Sequence, residues 1–194
     1  MSRARSTAQT LAHVDQRLAA NVTSRHDDGL LVYADGACEP NPGAGGWAFV
    51  VYRDGLEVYS ECGGDPDATN NTMEMTAALQ ALRWIAENIS GEPVRLLTDS
   101  MYVVNGCNDW RHGWKRKGWK RGAVKALANA DLWQALDAAL IARPIKLEWV
   151  KGHCGIIGNE RADELSLIGR QSALDRSPSS LDLIRQQLDY SARA

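Results

Sequence analysis

Four acidic residues stand where side chains from distant parts of the chain can act together. Asp35 ends the apolar run Leu30-Leu31-Val32-Tyr33-Ala34 and is followed by Gly36, while Asp99 ends a second run, Val94-Arg95-Leu96-Leu97-Thr98. Glu74 lies in Thr69-Asn70-Asn71-Thr72-Met73-Glu74-Met75, at the mouth of a long apolar-periodic stretch. Asp163 lies in Gly158-Asn159-Glu160-Arg161-Ala162-Asp163-Glu164-Leu165, near the start of another. In an α/β fold, strand exits and helix entrances meet beyond the carboxyl ends of the strands, where ligands gather. Carboxylates brought together there repel one another unless hard cations lie between them. The chemistry this pattern predicts is metal-assisted attack on an anionic substrate.

The elements that must position these groups follow from periodicity and turn signals. Leu30–Ala34, Trp47–Arg53 and Glu57–Cys62 read as three consecutive strands, with Asp54-Gly55 as the hairpin turn between the second and third. From Thr72 to Asn88 the apolar residues Met75, Ala78, Leu79, Leu82, Ile85 and Ala86 recur at helical spacing, closed by Gly91 and Pro93. Val94–Thr98 is a fourth strand whose near-continuous apolar character predicts a central position. A short helix begins at Tyr102, another is entered near Asn129 and Asp131, Ile145–Val150 is a fifth strand, and a last helix runs from Asn159 to Gly169. The fold class is α/β: a mixed five-stranded sheet flanked by helices on both faces, with strands one and four adjacent so that Asp35 and Asp99 lie side by side.

A chain of 194 residues accommodates one domain with length left for tails. The expected division is an N-terminal extension over 1–28, a catalytic domain over 29–170 with a basic insert at 110–125, and a C-terminal extension over 171–194. Leu11, Val14, Leu18 and Val22 repeat at helical spacing in the first extension, as do Leu181, Ile184 and Leu188 in the last, after Ser177-Pro178-Ser179-Ser180. Each can pack on the domain, pair with another subunit or stay loosely ordered. No apolar run approaches the roughly 20 residues that span a bilayer, and Met1–Ala20 lacks the apolar centre of a signal peptide, so the expected location is the cytoplasm. Cys38, Cys62, Cys107 and Cys154 form no Cys-x-x-Cys pair and read as reduced thiols rather than a zinc site.

Net charge is −2, but its distribution matters more than its sum. Between Trp110 and Lys125 lie Arg111, Lys115, Arg116, Lys117, Lys120, Arg121 and Lys125, with no acid among them; removing those seven from 22 basic residues leaves 15 against 24 acids. Three tryptophans, Trp110, Trp114 and Trp119, interleave with them. Aromatic faces packing on sugars beside cations that neutralise phosphates make a nucleic-acid surface. For Trp119, a place in the core is an equal reading.

In their order and register these pieces resemble ribonuclease H, the type-one cellular, bacterial-like class. The resemblance runs from about Leu30 to Gly169. It rests on Asp35-Gly36-Ala37-Cys38, Asn41-Pro42-Gly43-Ala44-Gly45-Gly46, Thr69-Asn70-Asn71 with Met73-Glu74, Thr98-Asp99-Ser100 with Tyr102-Val103, Trp149-Val150-Lys151-Gly152-His153, and Asn159-Glu160-Arg161 leading to Asp163. The resemblance implies an endonuclease that hydrolyses the RNA strand of RNA–DNA hybrids with two magnesium ions (manganese as a possible substitute), leaving 5′-phosphate and 3′-hydroxyl ends. Asp35 would bridge both ions, Glu74 and Asp99 hold one, and Asp163 help hold the other. Glu164 and Glu160 are nearby rivals for that last role, and the register from Gly152-His153 selects Asp163.

His153 is implied as an assisting proton carrier. Cys38, Asn41, Thr69, Asn70, Asn71 and Asn129 are implied as substrate contacts, with Thr69 and Asn129 resembling a DNA-phosphate pocket. Asn71 equally suits a turn-capping role. Trp110, Trp114, Lys115, Arg116 and Lys117 would grip the hybrid. Met101 departs from the family, since bacterial relatives usually carry there a glutamine that touches the RNA minor groove. The expected partner is an RNA–DNA hybrid, with no membrane, no evident protein partner and a monomeric chain. Two other readings compete: a non-catalytic hybrid-binding domain, which an intact acidic quartet argues against, and a resolvase- or transposase-type nuclease of the same fold.

Overall fold

Successive residues of the first strand point into two different apolar layers, and that alternation organises the molecule. Leu30, Val32 and Ala34 join one buried cluster, whereas Leu31 and Tyr33 join the other. Phe49 and Val51 against Ala48 and Val50, and Leu96 against Leu97, divide in the same way. A strand that is apolar on both faces requires helices on both. The computed structural model describes residues 29–121, 125–176 and 178. The amphipathic repeats expected near Leu11–Val22 and Leu181–Leu188 lie outside the described residues.

The elements are β1 (Leu30–Cys38), β2 (Gly43–Arg53), β3 (Leu56–Ala68), α1 (Asn70–Asn88), β4 (Val94–Thr98), α2 (Met101–Asn105), a π-helical turn (Gly106–Trp110), α3 (Arg111–Arg116), β5 (Lys120–Arg121), β6 (Lys125–Ala126), α4 (Ala130–Ala142), β7 (Leu147–Trp149) and α5 (Ile157–Asp175). The main sheet has the order β3-β2-β1-β4-β7, and β5 with β6 forms a small separate ribbon. β1 pairs antiparallel with β2 and parallel with β4, and β4 pairs parallel with β7. This is the mixed five-stranded α/β sheet that the apolar runs predict, with β1 and β4 adjacent.

Asp54 and Gly55 both have positive φ at the β2–β3 turn, as their types predict. β3 runs past Cys62 to Ala68 despite Gly63, Gly64 and Pro66, because it lies at a sheet edge where those residues are tolerated. α5 likewise runs past Gly169 to Asp175. There Gly169 is a packing residue rather than a helix terminator: a Cβ on it would lie 2.2 Å from the Gly63 carbonyl oxygen. One on Gly46 would lie 2.0 Å from the Ser166 oxygen. Helix α5 therefore rests backbone-to-backbone on β2 and β3, which fixes where its side chains can reach.

The opposite layer is built from α1 and α4. Thr69 caps α1, its hydroxyl accepting from the Thr72 N–H at 3.2 Å while Thr72 Oγ1 accepts from the Thr69 N–H at 2.8 Å. Trp133 of α4 is fully buried. It packs against Tyr102 and Trp114 at ring-centroid distances of 5.2 and 5.0 Å. Among the described residues no helix is long and apolar enough to cross a membrane.

Candidate active site

The register of β1 against β4 pairs Tyr33 with Leu97, and two residues further along the chain lie Asp35, still on β1, and Asp99, just past the end of β4. Gly36 then admits the third carboxylate. A Cβ there would lie 2.3 Å from both the Glu74 nitrogen and the Met73 carbonyl carbon, so only glycine lets the first turn of α1 settle on β1. Gly152, before His153, plays a similar part for Asp99, because its Cβ would fall 2.2 Å from Asp99 Oδ2. Asp163 arrives from the second turn of α5. Asp35, Glu74, Asp99, Asp163 and His153 thus line one cavity of about 350 Å³, together with Cys38 and Asn70 of the predicted substrate contacts.

Each carboxylate is oriented by its own partner. Asp35 accepts from the Gly36 N–H at 2.7 Å and is 7% exposed. Glu74 accepts from Asn70 Nδ2 at 2.9 Å and from the Ser100 hydroxyl at 2.5 Å. Asp99 Oδ2 accepts from Asn159 Nδ2 at 3.2 Å. His153 Nδ1 lies 3.8 Å from Asp163 Oδ2, and the histidine side chain is largely exposed, carried on a left-handed backbone with φ 49°. Among the described residues no three of these groups close into a ligand shell. The walls instead hold the charges around an open volume.

Electrostatics express the strain of that arrangement. Burial, then the charge of Asp99, pushes the Asp35 carboxyl up to about 8; the Gly36 N–H opposes the shift, and Asp163 and Glu74 add to it. Burial also raises Glu74, against the Ser100 hydrogen bond and with help from Asp99. Asp163 is raised by burial in the first place, with His153 opposing and Glu160, Asp99 and Glu164 reinforcing. Buried carboxylates that resist ionising next to one another are what a divalent cation relieves. The donors are all carboxylate oxygens. The soft donor on the wall, Cys38 Sγ, faces the carbonyl oxygens of Pro40, Gly43 and Ala68 at 3.3–3.5 Å. A hard ion such as magnesium fits a donor set dominated by carboxylate oxygens.

The remaining predicted residues spread outward from the cavity. Asn41 Oδ1 accepts from the Asn70 N–H at 3.2 Å, which ties the glycine-rich turn to the start of α1. Thr69 uses its hydroxyl in the helix cap, Asn71 is exposed on the first turn of α1, and Asn129 precedes α4 in a left-handed conformation without capping it. Trp110 is 41% exposed and meets Trp114 edge-on at 5.6 Å, whereas Trp114 and Trp119 pack on the core.

The basic residues divide. Arg111 and Lys115 both bond the buried Asp137, the latter at 2.7 Å, and although burial opposes its charge, those two cations hold Asp137 below the usual carboxylate range. Arg116, Lys117, Lys120, Arg121 and Lys125 are exposed.

Ser100 and Asn159 stand in the sequence motifs without a role of their own, and Arg170 stands just outside them. Ser100 had a signal as the cap of α2, where its oxygen accepts from the Val103 N–H. Arg170 had only its spacing, two helical turns beyond Asp163 on the same face.

Comparison with known proteins places this geometry in a wider set. The sequence model of the family described as RNase H matches residues 27–171. The Ribonuclease H of Pseudomonas aeruginosa (strain LESB58) is 46% identical over 137 residues, covering 71% of this chain and 90% of that protein. The Ribonuclease H of Caulobacter sp. (strain K31) is 47% identical over 146 residues, covering 75% and 92%. Among solved structures, LC9-RNase H1, a type 1 RNase H with the type 2 active-site motif, superposes with a TM-score of 0.64 at 29% identity, covering 81% of this chain and 77% of that one.

Proposed function

The chain belongs to the ribonuclease H family, and from that premise we propose that the acidic cavity hydrolyses the RNA strand of RNA–DNA hybrids with two divalent cations, leaving 5′-phosphate and 3′-hydroxyl ends. As a family member the protein is an endoribonuclease acting on such hybrids. The observation that carries the reading is the convergence of Asp35, Glu74, Asp99 and Asp163, from two strands and two helices, on one cavity. A single chain supplies all four, so the reading needs no second protomer.

Asp35, the most buried of the four, would hold both cations, with Glu74 and Asp99 helping to hold one and Asp163 the other. Bound magnesium, or manganese in its place, supplies an activated water and neutralises charge on the attacking and leaving oxygens of the phosphodiester. The protein's own groups do the rest. Asn70 and Ser100 fix both oxygens of Glu74, and Asn159 fixes one of Asp99. His153, exposed beside Asp163, would carry a proton toward or away from the reacting phosphate. The β1–β2 connection, whose Cys38 and Glu39 line the cavity, would offer its backbone to a 2′-hydroxyl, the group by which RNA is told from DNA. Exposed cations of the α3–β6 segment, with Trp110, suit the phosphates and sugars of the paired strand.

The test is direct. Labelled RNA–DNA hybrid, duplex RNA and duplex DNA are incubated with the purified protein in magnesium or in chelator. Cleavage confined to the RNA of the hybrid and abolished by chelator is expected. Equal cleavage of duplex DNA, or turnover that survives the chelator, would sink the reading.

A further inference from the structure

One side chain on the cavity wall belongs to none of the groups named for the reaction. Arg170, on α5, sends Nε to the carbonyl oxygens of Glu39 at 3.0 Å and Ala44 at 3.3 Å, and Nη2 also to Glu39. Those carbonyls stand at the two ends of the turn between β1 and β2, closed on itself by the Glu39 N–H to Ala44 oxygen bond at 3.3 Å. Cys38 Sγ meets the carbonyls of Pro40 and Gly43 inside the same turn. Four carbonyls of one tight turn are thus engaged by two side chains, one local and one from a helix 131 residues away in sequence.

The base of this strut is rigid. A Cβ on Gly46 would lie 2.2 Å from the Arg170 nitrogen, so the helix backbone at Arg170 rests directly on β2. From the turn the bonding continues: Asn41 Oδ1 to the Asn70 N–H, Asn70 Nδ2 to Glu74, and Glu74 to Ser100. Guanidinium suits the position because its planar fork can hold two acceptors at once, which an ammonium cannot do with fixed geometry.

We propose that Arg170 is a positioning residue for hybrid recognition, bracing the turn of residues 39–44 so that its backbone and Asn41 meet the RNA strand already ordered. The inference rests on the reading of this cavity as a hybrid-cleaving site. A braced turn lowers the ordering cost of binding and acts on the substrate through Asn41 and the backbone rather than by contact with the scissile phosphate. Its loss is felt in recognition before it is felt in chemistry.

Steady-state cleavage of one hybrid in saturating magnesium, and binding of a DNA duplex of the same length, are measured for the wild type and for Arg170→Ala, Arg170→Gln and Arg170→Lys. Wild-type failure to cut the hybrid would refute the function proposed above, independently of Arg170. Given wild-type activity, Arg170→Ala is expected to raise KM for the hybrid about tenfold with kcat within about twofold, because binding order is lost and the carboxylates keep their partners. Duplex-DNA affinity stays unchanged, and Arg170→Lys recovers part of the KM. Should Arg170→Ala fail to fold, Arg170→Gln is read by the same criteria. An unchanged KM, or equal losses for hybrid and DNA duplex, would overturn the proposal, the latter showing a plain phosphate contact.

Discussion

Gly36 and Glu74 touch backbone to backbone, at a distance where any side chain on residue 36 would meet the Glu74 nitrogen at 2.3 Å. That contact is how a helix-borne carboxylate comes beside the strand-borne Asp35. Because the colliding atoms are backbone, no rotamer change relieves Gly36→Ala, and the helix start must move. The expected result is a loss of about 3 kcal/mol in stability. Activity should fall on the order of a hundredfold, since shifts of about 1 Å at a reacting centre cost that much. Thermal melts and kcat on a hybrid substrate check both; wild-type activity in the variant would show that Glu74 need not sit there.

Asp35 is predicted to stabilise the protein when neutralised, even as activity is lost. Its carboxyl sits at about 8 in the folded chain against an ordinary value of 3.8. The folded state therefore holds a proton that the unfolded state releases, and stability falls as pH rises from about 4 to about 8. Asp35→Asn removes that dependence, so its melting temperature should exceed the wild type's by a margin that widens across this window. Magnesium should narrow the margin by stabilising only the wild type. A margin that shrinks as pH rises in the absence of metal would contradict the burial of this carboxylate.

The two strand-exit acids were legible because an apolar run ending in Asp says where the residue emerges, and parallel pairing of β1 with β4 does the rest. The helix entrance of Glu74 and the class of sheet were legible for the same local reasons. What escaped were groups whose meaning lies across the fold: Asn159 answers Asp99 from 60 residues away, and Arg170 answers Glu39 from 131. Nothing local distinguishes such an Asn or Arg from a solvated helix residue. The same limit hid the length of β3, whose Gly and Pro residues are harmless only because the strand is an edge. It also hid the division among the basic residues, which depends on the buried Asp137 of α4.

That division makes a paired prediction. Arg116 and Lys117 are exposed and unengaged by Asp137, so Arg116→Ala with Lys117→Ala should raise KM and lower the slope of log KM against log salt by about 2, one per phosphate contact. Lys115→Ala should instead cost about 1 kcal/mol of stability by leaving Asp137 to Arg111 alone, a figure kept small because Lys115 is half-exposed. Salt-series kinetics and denaturant melts separate the two. If Lys115→Ala changes the salt slope as much as the double variant and leaves stability untouched, the ion pair does not hold in solution.

Met101 opens helix α2 directly after the Ser100 cap and is 50% exposed. It lies two residues from Asp99, whose carbonyl oxygen accepts from the Trp149 indole at 3.0 Å, so the backbone beneath it is pinned. An exposed thioether at the start of a helix offers apolar surface and no strong hydrogen bond. Met101→Gln exchanges it for an amide of similar length and helix propensity, and stability should stay within about 0.5 kcal/mol. An amide there can both donate to and accept from base and sugar edges in a shallow minor groove, so KM for the hybrid should hold or fall while kcat is retained. The comparison is steady-state kinetics of the two proteins on one hybrid sequence, followed by mapping of the cut positions. A large fall in kcat/KM would mean that the methionine packs against the substrate in its own right and that the turn and helix ends are tuned around it.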